Sequence, residues 1–436
     1  MTAVPLRSRE RVFSALLLAT TLVLTASRVQ ADPNTVLASS LWPMYGHDPK
    51  HTFRTTAVGP SVPNLLDPVV VPDKVTSQPT VTPDGVFLVD MGFSVVGIRA
   101  DGRRLWQSRL AADAKFSAPT VDTNSFFYVG DRGNAFTKYD VDTGAQICRF
   151  IVKQDGDIRS SPTFSVKFPD RAYVAEAGVA GGLYALGTQG STACQVIWTI
   201  PPSQMPGGTA NSISLADSTL GANDSKGLLI HATSRSIYAV QDNGTSAQIK
   251  FSRNLGGQTQ GSTPVIDPTT GRIFVGTWNK KFYALNPADF SDVFPPKTLD
   301  SAIKTTAALS PDGSTVYVLT ERGKIYAFDT ATGNNHPGFP ITTTHNSFHI
   351  TNAPSVDGNG NIYVGGSDHH VRGFHPDGSM FFDATVGLNV TAPVTIINNG
   401  LLVGAWNKRF YRFCPDPTGP PTAQNVCGFI VDTTAP

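Results

Sequence analysis

Phe274 to Leu285 reads Phe-Val-Gly-Thr-Trp-Asn-Lys-Lys-Phe-Tyr-Ala-Leu, and Leu402 to Phe413 reads Leu-Val-Gly-Ala-Trp-Asn-Lys-Arg-Phe-Tyr-Arg-Phe. Each is an apolar strand, a polar turn and a second apolar strand. Looser copies start at Phe87, Tyr128, Tyr173, Leu229, Tyr317 and Tyr363, so successive starts lie 41, 45, 56, 45, 43, 46 and 39 residues apart. A period of about 45 residues built from short strands marks a propeller, a solenoid or an array.

The flanks of each hairpin repeat as well. An opening strand carries proline at Pro79, Pro119, Pro162, Pro264, Pro354 and Pro393, with Ile213 and Ala307 in the same slot. Proline has no N–H to give to a central strand, so this strand lies at an edge, such as the innermost strand of a blade. A turn, the hairpin and a fourth, outer strand follow. In Phe282-Tyr283-Ala284-Leu285 successive side chains point to opposite faces, yet both faces are apolar. A sheet greasy on both sides has to be sandwiched between two others. Tyr184, Tyr238, Tyr283, Tyr326 and Tyr411 form one column, read as packing between blades. The pattern predicts an all-β chain, an eight-bladed β-propeller of four-stranded antiparallel blades. Asn64 to Val71 and Cys427 to Asp432 compete for the place that completes the last blade, and Asp217 to Lys226 reads as a surface insertion.

The first residues stand outside this argument. Arg7, Arg9 and Arg11 precede an apolar run, Phe13 to Leu24, and Val29-Gln30-Ala31 puts small residues at a cleavage point. Residues 1–31 are therefore expected to be a signal peptide cleaved after Ala31, with a lead-in over 32–63 and the propeller over 64–433. The chain is expected to be exported, to the periplasm or the extracellular medium, with no membrane span and no lipid anchor. The formal charge is +1 for 436 residues. So nearly neutral a chain lacks the clustered positive field that a nucleic-acid partner needs. Four cysteines in an exported chain point to disulfides. Cys148 and Cys194 are expected in outer strands of consecutive blades; Cys414 and Cys427 flank a proline-rich loop, where a bridge would contribute about 3 kcal/mol.

Gly156-Asp157-Ile158-Arg159-Ser160-Ser161-Pro162, Ile362-Tyr363-Val364-Gly365 and Ile325-Tyr326-Ala327-Phe328-Asp329-Thr330-Ala331-Thr332-Gly333 resemble the module of the PQQ-like, or quinoprotein-type, β-propeller family. Outer-strand Trp106 and Trp198 match it, and Trp42 to Thr52 looks like the stretch before the first blade of secreted members. The resemblance implies one of two roles. Quinoprotein dehydrogenases hold PQQ and Ca²⁺ on the propeller face; this chain has no adjacent cysteines, no Cys-x-x-Cys-His and, after the signal, only Glu176 and Glu321 as glutamates. The non-catalytic branch serves as a docking platform.

The turns between hairpin strands form a rim carrying Asp90, Asp131, Arg132, Glu176, Trp278, Lys280, Glu321, Arg322, Asp368, His369, His370, Trp406 and Lys408. Alternating charge suits a solvated rim. The two Trp-Asn-Lys turns also suit a ligand or a partner's side chain, since an indole beside a cation stacks well. Neither Asp368-His369-His370 nor His345 with His349 sits on a helix that would gather imidazoles, Thr342 to Thr344 reads as loop, and Asp155-Gly156-Asp157 is only a fragment of a calcium loop, so no metal site is expected. No nucleophile elbow, phosphate loop or zinc helix is present, and the catalytic residues are unknown. The expectation is a monomeric, exported, non-catalytic binding or scaffold propeller without cofactor, taking a protein partner or small ligand on one face. The alternatives are a PQQ- and Ca²⁺-dependent alcohol or sugar dehydrogenase and a carbohydrate-binding or carbohydrate-active protein.

Overall fold

The computed structural model describes residue 37 and residues 40–114, 116–152, 156–165, 167–178, 181–216, 228–343 and 352–415. They form eight antiparallel sheets arranged as an eight-bladed β-propeller. Blade 1 runs from its inner strand Thr80–Val81 through Phe87–Met91 and Ser94–Ile98 to its outer strand Arg104–Arg109. The other inner strands are Thr120–Val121, Thr163–Phe164, Ser214–Ala216, Val265–Ile266, Ala308–Leu309, Ser355–Val356 and Thr395–Ile397. Five of these eight follow a proline directly and a sixth, Thr395–Ile397, is separated from Pro393 by one residue, as the edge argument requires. The quoted hairpins are the second and third strands: Ile273–Gly276 pairs with Lys281–Leu285, and Gly400–Ala405 with Arg409–Cys414.

Packing between blades follows the doubly apolar pattern. Ser94–Ile98 is buried at every position, as is Phe87–Met91. The outer strand Ala247–Asn254 instead alternates half-buried and exposed residues, because one of its faces meets water. The tyrosine column lies between blades as expected. At three of the five positions the hydroxyl reaches the connection from the preceding blade, which phenylalanine could not do: Tyr283 donates to Leu255 O at 2.7 Å, Tyr411 to Val386 O, and Tyr326 to Asp300 Oδ1 at 3.4 Å.

The N-terminal candidate completes blade 8. Asn64–Leu65 and Val69–Val70 both pair with Arg409–Cys414, so a strand from the start of the propeller is the outer strand of its last blade. Cys427 to Asp432 lies outside the described residues, as do the signal segment, the insertion at Asp217 to Lys226, and His345 and His349. Cys148 and Cys194 form a disulfide with Cα atoms 5.9 Å apart. Cys148 is in the outer strand Gln146–Ile151, but Cys194 precedes its outer strand, Val196–Ile200, and follows a short 3₁₀ turn. Cys414 is buried and is not a free thiol, and its expected partner Cys427 is outside the described residues. Thr342, read as loop, belongs to the short outer strand Ile341–Thr342 of blade 6; Thr344 is not among the described residues.

The stretch read as a lead-in is woven into the ring. Residues 42–58 circle the axis at the end where the inner strands turn into the hairpins, and their carbonyls accept inner-strand N–H groups. Val81, Val121, Leu215, Ile266, Leu309 and Val356 donate to Trp42, Pro43, Pro49, Lys50, Thr52 and Phe53 at 2.8–3.0 Å, and Asn399 donates to Val58 at 2.9 Å. Blades 1, 2, 4, 5, 6, 7 and 8 are thus tied to one belt. An inner edge otherwise presents unpaired N–H groups to the channel, and the belt satisfies them. Its side chains fill the axis: Trp42, Met44, His51 and Phe53 are fully buried.

Candidate functional site: the turn rim and the axis

The side chains just above the belt close the axis with hydrogen bonds. The residue before each inner-strand proline slot is Ser161, Ser212, Thr263 or Thr306 in blades 3 to 6. Its hydroxyl accepts the corresponding N–H of the blade before: Ala118 N to Ser161, Ser161 N to Ser212, Ser212 N to Thr263 and Thr263 N to Thr306, at 2.9–3.2 Å. Tyr45 of the belt joins this arc through Thr306 Oγ1 at 3.1 Å. On the blade 8 side Gln78 accepts from Gly46 N at 2.9 Å and donates to Val394 O at 3.2 Å. The cavity left between Tyr45, Phe116, Asn211 and Thr263 is about 10 Å³, room for about one water.

The rim is at the other end of the blades. Trp278 and Trp406 adopt the same arrangement on blades 5 and 8. Trp278 donates its indole N–H to Gln260 O at 2.8 Å, and Trp406 donates to Thr391 Oγ1 at 2.9 Å. A lysine from the next connection covers each ring: Lys304 at 4.7 Å and Lys74 at 5.1 Å from the centroids. Both indoles are half-buried, so each is a fixed aromatic surface rather than a swinging side chain. Lys280 and Lys408 occupy the left-handed position of the two turns, at φ 70° and 60°, and Lys408 reaches Asp73 at 4.0 Å. Glu321 pairs with Lys304, and Arg322 N donates to Ser301 Oγ at 3.0 Å.

Other rim residues divide into separate groups. Asp368 meets Arg372 at 2.7 Å, and Asp383 lies 3.3 Å from Arg372 Nε and 2.5 Å from His370 Nδ1. His370 starts a strand while His369 is in the preceding turn at φ 73°, so the two imidazoles are not brought to one point. Arg132 approaches Asp157 at 3.4 Å, and Arg159 donates to the same oxygen at 2.8 Å, a charge cluster between blades 2 and 3. Asp155 lies outside the described residues. The structure therefore sets the candidate residues on four sectors and does not gather them into one pocket. No group of three or more His, Cys, Asp or Glu able to hold a metal occurs among the described residues.

Three carboxylates read as solvated rim are buried instead: Asp90 and Glu176 completely and Asp131 nearly so. Asp90 takes the place that small residues such as Gly130 and Gly276 hold in other hairpins, which puts it between blades. One of its oxygens accepts from Ser77 Oγ at 3.0 Å and the other has no partner. Burial pushes its carboxyl well above the usual range despite Ser77, and the negative charges of Asp113 and Asp131 add to this. Glu176 is also raised by burial, against a hydrogen bond from Tyr184 at 3.1 Å and with Asp157 nearby. Gly156 is glycine because a Cβ there would stand 1.6 Å from Glu176 Oε1. An aspartate whose folded-state pKa is raised favours folding below its unfolded pKa of about 3.9 and progressively less as pH rises toward the folded value. Asp90→Asn will accordingly melt higher than wild type at pH 8, with the difference vanishing at pH 4; equal shifts at both values in thermal scans would place Asp90 in a charged setting.

No helix among the described residues is long and apolar enough to cross a membrane. The sequence model of the family described as outer membrane protein assembly factor BamB matches residues 40–294. No curated protein sequence matches the chain. Among solved structures, BamB from Moraxella catarrhalis is similar over 82% of this chain and 99% of its own, at TM-score 0.61 and 15% identity. Quinohemoprotein alcohol dehydrogenase from Comamonas testosteroni is similar over 88% of this chain and 81% of its own, at TM-score 0.62 and 13% identity. The corresponding enzyme from Pseudomonas putida HK5 gives TM-score 0.65 and 12% identity, over 89% and 81%. Likeness at these identities is likeness of fold.

Proposed function

The chain belongs to the family of the outer membrane protein assembly factor BamB, built of PQQ-like repeats, and from that membership we propose that it is an exported, non-catalytic docking propeller whose turn rim receives a protein partner. The filled axis carries this reading. PQQ is a rigid tricyclic quinone bearing three carboxylates, and it needs a flat slot, cations and a calcium site. The described axis offers instead an arc of hydroxyls across blades 2 to 6, the buried belt side chains Trp42, Met44, His51 and Phe53, and between Tyr45 and Thr263 a void of about 10 Å³, so the residues present do not fit the group.

The rim offers what a partner uses. Near the junction of blades 8 and 1, half-buried Trp406 is held beside Lys74, and Phe93, at a turn tip, is 57% exposed. Asp73 connects them: it lies 4.0 Å from Lys408, and a Cβ on Gly92 would meet its carboxylate. A rigid aromatic beside an exposed aromatic is the composition of an interface anchor. Affinity capture from the native envelope or culture fluid tests this. The wild-type chain is expected to retain a specific protein, and the Phe93→Ser, Trp406→Ala double variant, still folded by circular dichroism, to lose at least tenfold in affinity. Capture indifferent to both residues, or dye reduction with alcohols or sugars after loading with PQQ and Ca²⁺, would reject the reading.

A further inference from the structure

On the face opposite the rim, a cleft of about 300 Å³ opens between the belt and the inner turns of blades 6 and 7. Its walls include His47, Asp48, Arg54 and Thr56 of the belt, with Pro311 and Gly358 across from them. The volume lies at the lower end of ordinary small-molecule sites, about 300–1,000 Å³.

The charges in the cleft are unequal in what they have left to offer. Asp48 is spent on its own loop: Oδ1 accepts from Lys50 N at 2.8 Å and Thr52 N at 3.3 Å, and Oδ2 accepts from the Thr52 hydroxyl. Burial pushes its carboxyl up, yet His47 and Thr52 outweigh burial and hold it below the usual range, so it stays ionised with its donors in place. Arg54 is different. Its one hydrogen bond among the described residues runs from Nη1 to Ser310 O at 2.7 Å, and no described carboxylate lies within ion-pair distance. That bond fixes the direction of the guanidinium and leaves its remaining N–H groups to the cleft. His47 also lines the cleft: its Nδ1 is buried 3.6 Å from Asp48, and its Nε2 makes no hydrogen bond among the described residues and is the ring nitrogen left to serve as a donor.

The backbone here is held in a costly shape. Non-glycine residues His47, His51 and Phe53 have φ of 75°, 53° and 52°. Such conformations are unfavourable for residues with a Cβ and cluster at ligand sites, where surrounding structure holds them. A planar cation whose fork has no carboxylate among the described residues, beside an imidazole and a threonine hydroxyl, suits a small anion that presents two oxygens in a plane, as a carboxylate does. We propose that this cleft binds a carboxylate-bearing small ligand, with Arg54 as its principal partner and His47 as a second donor.

Equilibrium dialysis with radiolabelled succinate tests the site on the full chain. Saturable binding at one site is expected, with at least a tenfold loss in Arg54→Gln at unchanged melting temperature, a smaller loss in His47→Gln, and no competition by succinamide. A tripeptide with a free C-terminus, compared with its C-terminal amide, separates the two sources of the group: displacement of succinate by the free acid alone identifies a peptide end as an acceptable ligand, and no displacement restricts the site to small acids. Absence of saturable binding, or full affinity in Arg54→Gln, would overturn the proposal.

Discussion

Phe53→Ala will cost about 3–5 kcal/mol of stability, the range for emptying a fully buried aromatic site. Phe53 is at 0% exposure, edge-on to Tyr45 at 5.0 Å, while Tyr45 lies 5.7 Å from His51 and hydrogen-bonds Thr306. Its N–H donates to Gly46 O at 3.0 Å, and its carbonyl accepts from Val356 N at 2.8 Å. The side chain therefore supports both the fold of the belt on itself and the belt's grip on blade 7. A second substitution sharpens the test. Phe53 has φ 52°, a left-handed conformation that costs a residue with a Cβ about 1–2 kcal/mol. Phe53→Gly loses the same ring and sheds this strain, so it will be less damaging than Phe53→Ala by about 1 kcal/mol. Urea unfolding of the two variants measures both numbers. A loss under about 1 kcal/mol for alanine, against the 3–5 kcal/mol above, would mean that the belt is ornamental and the blades close without it.

That the belt matters so much bears on what the sequence disclosed. The hairpins were legible because they repeat: all eight quoted starts fall in second strands, from Phe87 in Phe87–Met91 to Leu402 in Gly400–Ala405. The closing strand was half legible, since Asn64 to Val71 resembles other outer strands and the structure pairs it with Arg409–Cys414. The belt has no period. Its bonds join positions as far apart as Val58 and Asn399, and the donors are backbone groups that any residue but proline supplies. The Ser or Thr before the slot in blades 3 to 6 was a visible signal of the hydroxyl arc, readable only as a strand start until neighbouring blades are superposed in space. Asp90 shows the opposite failure. It is written like a turn residue, yet it occupies a column of glycine and alanine between blades, where a carboxylate is buried. The tryptophans fall in between. Their turn positions were evident, whereas the carbonyl or hydroxyl that fixes each indole and the lysine that covers it come from other connections.

Asp242→Ala is the second large effect, about 3–5 kcal/mol, because it breaks a buried ion pair by removing one partner. Arg171 of blade 3 has a side chain 7% exposed, and its Nη1 donates to Asp242 Oδ2 at 3.1 Å and to Gly244 O at 2.6 Å. Tyr173 donates to the same carboxylate at 2.7 Å, and Gly244 N donates to its other oxygen at 2.7 Å. Burial alone would lower the arginine's pKa; Asp170 and Asp242 more than compensate and raise it, so it remains charged in whatever is left around it. Truncating the aspartate removes a shared acceptor of Arg171 and Tyr173 and leaves the buried end of the guanidinium, at the start of the strand Arg171–Ala177, with Gly244 O alone, its remaining ion pair being the one its Nε makes with the exposed Asp170 at 2.9 Å. The ion pair need not be net stabilising for this to hold, since desolvation offsets much of its attraction. The double variant Arg171→Met, Asp242→Leu, which removes both charges, will therefore be more stable than Asp242→Ala alone. Single-variant losses that simply add in the corresponding double-mutant cycle would show that the two charges act independently, and would refute the coupling that the geometry requires.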